Sequence, residues 1–432
     1  MRISKTLKML IIISILNSCM NNNIKHNNHN FLILESRGAP NDIKIFNYAC
    51  NIFNEQSKLV KIKMNHIQWS KYSSKIISMA AAGVMPDILI LTTTELYNFQ
   101  YRDMLLDLTP FIENDLDFKK NILPDFYQTV LYSCEIKGKM FALPAWNNGL
   151  VVYFNKQLFD FTGLKYPDES LDFNEIIKIG LKIKNTSYPE KIKRYALNIY
   201  GAGRAYLVCA MNGVKVFDEY ATKCYLDHPD AISALKWYYS LIYVHDIAPT
   251  FGEVSETGIN TMFEIGSLAM YTTGTHMASR IGNKIEWGIS PMFRNKRRIN
   301  GDGQYICFAI SKKTKHPDDA WKFLKLLVSE NFQIRRSKIN CDIPSRSSLA
   351  QKVVLKVPAF KNYPKIILRS MEKHESIFPK THLFDEIDFL LKKELEASVR
   401  NIKGSLSLPA ACTNSAKKIN TFIQQNKSGI NR

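Results

Sequence analysis

A chain of 432 residues with 46% hydrophobic and 22% charged side chains has a globular composition and enough length for two ordinary domains, each with its own core. Eight cysteines with no CxxC pair and no regular spacing exclude a disulfide scaffold and a cysteine zinc site. The formal charge of +19 invites an anionic partner, but the basic residues read as scattered ones and twos, the densest group being Arg294, Lys296, Arg297 and Arg298, so nucleic acid is not expected and attraction to anionic lipid head groups is the simpler reading.

Arg2, Lys5 and Lys8 precede an apolar run, Met9 to Leu16, which falls far below the roughly 20 residues of a membrane span. Residues 1–18 therefore read as an export signal. Leu16-Asn17-Ser18-Cys19 resembles a lipobox, although Asn17 is a looser fit than a small residue; the resemblance implies that Cys19 is acylated and becomes the mature N-terminus. Two or three acyl chains, at about 0.8 kcal/mol per buried methylene, would anchor the protein. The asparagine-rich residues 19–30 read as a flexible tether, with His26 and His29 solvated rather than bound to metal.

Phe31 to Leu34 reads as a strand, followed by a helix from about Pro40, a strand at Leu59 to Met64, a helix from Ser70 to Ala82 stopped by Gly83, and a strand at Ile88 to Leu91. The alternation returns with strand Val151 to Phe154, helix Asn174 to Lys184, strand Tyr195 to Ile199 and helix Asp230 to Val244. Strands at Leu268 to Tyr271, Trp287 to Ser290 and Ile306 to Ile310 follow, then a helix at Pro317 to Val328 and a helical tail from about Ser347. The expected class is α/β, two lobes with mostly parallel sheets and flanking helices. In open α/β sheets ligands sit beyond the carboxyl ends of strands, so the loops after strands are the ones to watch.

Six segments in fixed order give this pattern a family likeness: AAGVMPDILIL at Ala81 to Leu91, LLDLTPFI at Leu105 to Ile112, KGKMFALPAWNNGLVVYFNKQLF at Lys137 to Phe159, FEIGSLAMYTTGTH at Phe263 to His276, EWGISPMF at Glu286 to Phe293 and SKKTKHPDDAWKFLKLLVS at Ser311 to Ser329. From Phe31 to Thr421 the chain resembles family 1 of the extracellular solute-binding proteins, the maltose-binding-protein-like receptors of ABC importers. The resemblance implies a type II periplasmic-binding-protein-like fold whose two lobes close on a ligand by hinge motion. It places residues 31–145 plus 303–342 in the N-terminal lobe and 146–302 plus 343–432 in the C-terminal lobe, with crossings near Pro144 and Gly301 to Gly303.

By the same matching, the candidate ligand-facing residues are Arg37, Trp69, Thr92, Thr93, Thr94, Trp146, Asn147, Asn148, Arg204, Thr273, Gly274, Thr275, Gly303, Gln304 and Arg346. Hydroxyls, amides and free backbone N–H groups suit a polar solute. Trp69 and Trp146 either stack on a sugar or belong to lobe core. Gly274-Thr275-His276 stands where many sugar binders of the family carry Gly-Pro-Trp, and this departure, with the three arginines able to grip a phosphate, keeps glycerol-3-phosphate or a glycerophosphodiester open beside carbohydrate. An interaction protein on the same scaffold is the remaining rival. No GxSxG, HExxH or P-loop is present, so an enzyme is not expected, nor a cofactor or metal. The expected partners are a small solute, ABC permease subunits and the membrane through the lipid anchor, for a monomer facing the periplasm or cell exterior.

Overall fold

The computed structural model describes residues 31–199, 204–281, 285–301, 303–371, 376–399 and 407–426. The export signal, Cys19 and the tether lie outside these. Twelve strands are found among the described residues: β1 (Phe31–Arg37), β2 (Lys61–Ile67), β3 (Ile88–Thr92), β4 (Glu135–Ile136), β5 (Lys139–Met140), β6 (Ala142–Asn147), β7 (Leu150–Asn155), β8 (Tyr195–Ile199), β9 (Leu268–Gly274), β10 (Trp287–Pro291), β11 (Ile306–Ile310) and β12 (Ile343–Pro344).

Two sheets organise the molecule into two lobes. The first has six strands in the order β12-β6-β11-β3-β1-β2, the second four in the order β10-β7-β9-β8, and β4 with β5 forms a small hairpin. Both main sheets are mixed, where the strand and helix alternation implied mostly parallel ones. β1 runs parallel to β2 and β3, but β11 enters antiparallel to β3 and β6, and β7 is antiparallel to β9 and β10. The reason is connectivity: β11 returns from the other lobe and is not bound to the direction that a βαβ crossover imposes.

β3 reads ILILT and is buried throughout, as a central strand covered on both faces must be. On one face of the first sheet, Leu34, Ile88, Ile90 and Phe308 pack with helix α1 (Pro40–Gln56), whose buried stripe is Ile45, Phe46, Ala49, Cys50 and Phe53. Pro40 starts α1, and the Asp42 carboxylate accepts from the Ala39 N–H at 2.7 Å. Leu89, Leu91, Cys307 and Ala309 pack on the opposite face with Tyr72 and Ile76 of helix α2 (Tyr72–Ala81) and with Phe99.

The second sheet is sandwiched likewise. One face meets helices Phe173–Asn185 and Pro229–Tyr243 together with the tail helices Phe384–Val399 and Leu408–Gln425. The other carries Tyr153, Tyr271 and Ile289 beneath helices Ile259–Glu264 and Ser347–Val354. Cys50, Cys134, Cys209, Cys224, Cys307, Cys341 and Cys412 are free and buried, serving as small core residues.

The chain leaves the first sheet at Asn147 and enters the second at Leu150, so Asn148-Gly149 is the outward crossing. It leaves β10 at Pro291 and re-enters the first sheet at Ile306. β6 and β12 thus both lie in the first sheet, which includes Trp146, Asn147, Ile343 and Pro344.

Candidate functional site

The carboxyl end of β3 supplies the first wall. Thr92 caps helix α3 (Thr93–Tyr101), its N–H reaching the Glu95 carboxylate at 2.8 Å and its hydroxyl accepting from the Glu95 N–H at 3.3 Å. That cap aims Thr93 and Thr94 across the lobe junction. The Thr93 hydroxyl donates to the Gly303 carbonyl at 3.4 Å, and the Gln304 amide reaches the Thr94 hydroxyl at 3.5 Å. Thr93, Thr94, Tyr97 and Ser133 line a pocket closed on the far side by Gly303, Ser376, Phe378, Pro379 and Lys380. Gly303 has φ of +74°, and a Cβ there would stand 2.2 Å from the Cα of Ser376, so both backbone shape and close approach require glycine.

The second wall is built where the outward crossing meets the end of β9. Leu150 pairs with Gly274, and the Thr275 N–H donates to the Gly149 carbonyl at 3.2 Å. Asn148 and His276 pack over Gly274 so closely that a Cβ would lie 2.7 Å from His276 Nδ1 and 2.9 Å from Asn148 Cβ. Asn147, Thr273 and Thr275 are 1%, 2% and 0% exposed. Both amide atoms of Asn147, Oδ1 of Asn148 and the hydroxyls of Thr273 and Thr275 are sealed from solvent with no hydrogen-bond partner in the protein, and so is Nδ1 of His276. Buried polar groups are normally satisfied, so these orphans at the ends of β6 and β9 retain hydrogen-bonding capacity that the protein does not use. Burial first, then Arg280 and Arg336 against an opposing pull from Asp42, pushes the His276 imidazole down to about 4; it is neutral at pH 7.

Three arginines around the junction are ion-paired within the protein. Arg37, 2% exposed, pairs with Glu95 at 2.5 Å and lies between the Trp69 ring at 3.7 Å and the Tyr72 ring at 4.3 Å. Arg346 holds Asp125 at 2.9 Å, on which Ser347 and Ser348 also converge. Arg336 sits between Asp42 at 2.7 Å and Asp342 at 2.8 Å, with no surplus positive charge. Burial, only partly offset by Arg336, pushes the Asp342 carboxyl up to about 6.

The two predicted aromatic platforms part company. Trp69 is 45% exposed, one face on Arg37. Trp146 is in the first-lobe core, 5% exposed, against Phe46, Phe308 and the guanidinium of Arg336 at 3.3 Å; register directs it into that core, since the ladder pairs it with Ile306 and Pro344. Arg204 heads a second-lobe helix with its guanidinium 4.7 Å over Phe251. Thus Thr93, Thr94, Gly303 and Gln304 meet beyond the end of β3, Asn148, Gly274 and Thr275 meet where the outward crossing joins β9, with Asn147 and Thr273 at the adjoining strand ends, while Arg37, Trp146 and Arg346 are engaged within the protein.

Sequence reasoning passed over Tyr97, Ser133 and the tail residues. Tyr97 lies one helical turn beyond Thr93 and Thr94, a spacing that could have flagged it. The tail gave no local signal. It fastens the lobes: Lys380 Nζ sits 3.4 Å over the Tyr132 ring and 2.9 Å from Glu219, the Tyr132 hydroxyl reaches Glu219 at 3.2 Å, and His382 stacks on Tyr101 at 3.5 Å and 8°. Among the described residues no cluster of three His, Cys, Asp or Glu could hold a metal ion, and no helix is long and apolar enough to cross a membrane.

Comparison with known proteins adds three findings. The sequence profile of the bacterial extracellular solute-binding protein family matches residues 49–366. A Brucella abortus (strain 2308) protein named as a binding protein is 21% identical over 292 residues, 66% of this chain and 68% of the relative. Among solved structures, an ABC substrate-binding protein of Listeria monocytogenes in complex with cycloalternan superposes with a TM-score of 0.80 at 20% identity, over 91% of this chain and 99% of that one. Maltose-bound MalE3 of T. maritima gives 0.74 at 19%, over 91% and 99%. UgpB of Mycobacterium tuberculosis in complex with glycerophosphocholine gives 0.72 at 16%, over 92% and 98%. At these identities the superpositions speak for the two-lobe fold.

Proposed function

This chain belongs to the bacterial extracellular solute-binding proteins, and from that premise we propose that it captures a small uncharged polar solute, a carbohydrate first of all, between its lobes and hands it to the permease of an ABC importer. The observation that carries the choice of solute is that Asn147, Asn148, Thr273, Thr275 and a neutral His276 leave amide, hydroxyl and imidazole groups without protein partners, whereas the charges of Arg37, Arg336 and Arg346 are balanced by carboxylates, even though Arg37 Nε and Arg336 Nε and Nη1 make no hydrogen bond. Neutral donors and acceptors match sugar hydroxyls; a phosphate at Arg37 or Arg346 would have to strip the arginine from its carboxylate, which strands a buried charge, and Arg204, stacked on Phe251, is the one predicted arginine not paired with a carboxylate among the described residues. Trp69 offers its open face for stacking at the cleft edge.

Asn148-Gly149 and the segment between Pro291 and Ile306 act as hinges, and closure brings Thr93 and Thr94 towards Thr273 and Thr275. A ligand shifts that equilibrium only by touching both walls. Cys19 carries the lipid anchor, residues 19–30 are the tether, and the receptor works as a monomer outside the cytoplasmic membrane without catalysing a reaction.

The glycerophosphodiester reading stays as the second arm of the test, because the wall at Gly274-Thr275-His276 lacks a stacking tryptophan. Thermal shifts of the full chain against neutral sugars, polyols and glycerophosphodiesters separate the two, since a ligand bound only by the folded state stabilises it in proportion to RT ln(1 + [L]/Kd). A shift with neutral sugars or polyols supports the proposal; a shift with phosphodiesters alone overturns it.

A further inference from the structure

The excess positive charge is concentrated in one stretch. Asn331–Met371 carries nine Lys and Arg against a single Asp, whereas Phe31–Glu330 carries 35 against 31. Read along the sequence these cations arrive one at a time and look scattered. The fold gathers them: helices Ser347–Val354 and Pro364–Arg369 and the turn Pro358–Phe360 bring Ala350, Val353, Val354, Phe360 and Ile367 to one core, Ile334 of helix Glu330–Asn340 packs against it, and Lys338, Lys352, Lys356, Lys361 and Lys365 are left exposed. The lone acid, Asp342, is buried with Arg336. Glu330 holds Lys352 at 3.2 Å; among the described residues no acid pairs with Lys338, Lys356, Lys361 or Lys365.

One large apolar side chain stands out among them, Leu355, 66% exposed. A protein–protein interface has a core depleted in charge and enriched in aromatic residues, and this face is the reverse. The acids at its margin, Glu330 beside Lys352 and Glu169 beside Arg369, are taken up in ion pairs within the protein.

We propose that this face rests on an anionic membrane surface, with Lys338, Lys356, Lys361 and Lys365 meeting lipid phosphates and Leu355 entering the head-group layer. A plane of diffuse negative charge attracts lysines without requiring register, and the attraction acts within about 8 Å at physiological salt. Weak membrane signals become effective in combination, so such a face would hold the body of a tethered receptor beside the bilayer. This inference goes beyond solute capture and does not depend on it.

The test is co-sedimentation of the full chain with phosphatidylcholine vesicles with and without phosphatidylglycerol, read as the ratio of anionic to neutral binding in each variant relative to wild type, so that what the leader with Arg2, Lys5 and Lys8 adds is common to every protein compared. Each Lys→Ala change at 338, 356, 361 or 365 should lower the ratio roughly three- to fivefold, and the quadruple variant more than tenfold. A control with Lys58, Lys182, Lys236 and Lys313 changed to Ala has the same net charge and should keep the wild-type ratio. Both variants should melt as wild type and respond to solute unchanged, so this face and the cleft can fail separately. Equal loss in the two quadruple variants overturns the proposal, as does wild-type binding to heparin with no preference for anionic vesicles.

Discussion

Thr275→Val should strengthen the empty protein and weaken its hold on solute. Thr275 is 0% exposed and its hydroxyl has no protein partner, so the unliganded fold bears the desolvation of a polar group, on the order of 1–3 kcal/mol. Valine keeps the shape and removes that burden. We expect the variant without ligand to gain about 1 kcal/mol, or about 2–4 °C for a lobe of this size. With ligand the sign reverses, because a solute hydroxyl then loses its partner: Kd should rise roughly five- to 150-fold, equivalent to about 1–3 kcal/mol. Thr162→Val is the control, since that hydroxyl donates to the Leu158 carbonyl at 2.8 Å; it should lower the melting point and leave affinity unchanged. Melting curves with and without the stabilising solute read both quantities. If Thr275→Val destabilises the unliganded protein and leaves affinity intact, the hydroxyl has a structural role and the receiving-site argument fails.

Three further outcomes follow from the geometry. Trp146→Ala should cost about 3–5 kcal/mol in urea unfolding, as expected for an aromatic core residue stacked on Arg336; a cost near zero with lost binding would return Trp146 to the cleft. Lys380→Ala removes a cation–π contact and an ion pair, together about 1–2 kcal/mol, so the closed fraction should fall and the scattering radius rise; an unchanged radius and affinity would show that the tail does not fasten the lobes. Asp125 is pushed up by burial, but hydrogen bonds from Ser348, Arg346 and Ser347 outweigh that and hold its carboxyl below the usual range. Its contribution is therefore present above the unfolded-state value of about 4 and is lost as pH falls through the lower folded value. Arg346→Ala should lower the melting point at pH 7 and flatten its acid dependence; an identical acid slope would contradict the assignment.

Strand and helix existence was readable because period and punctuation are local: Ile88 to Leu91 between Pro86-Asp87 and Thr92, or Pro317 to Val328 with its acidic first turn, carry their own signals. Sheet direction was not, because β11 pairs with β3 across more than two hundred residues and nothing in ICFAI says which way it runs. The site was half legible. Thr93, Thr94, Asn147, Asn148, Thr273 and Thr275 can be picked out as candidates from their places at strand ends, whereas Trp146 and Arg37 have the same residue types as a ligand wall and are told apart only by register and by Glu95. Tail residues such as Lys380 and His382 reach the site through tertiary contact alone. The lysine face escaped notice because helical packing, not sequence adjacency, gathers it.

The most direct test of the account is to incubate the purified full chain with a metabolite extract of bacterial cells, wash it, release bound small molecules by heat and weigh them by mass spectrometry. The account predicts a neutral, hydroxyl-rich solute that binds wild type and is retained less by Thr275→Val. A phosphorylated solute, or the same recovery from both proteins, would contradict it.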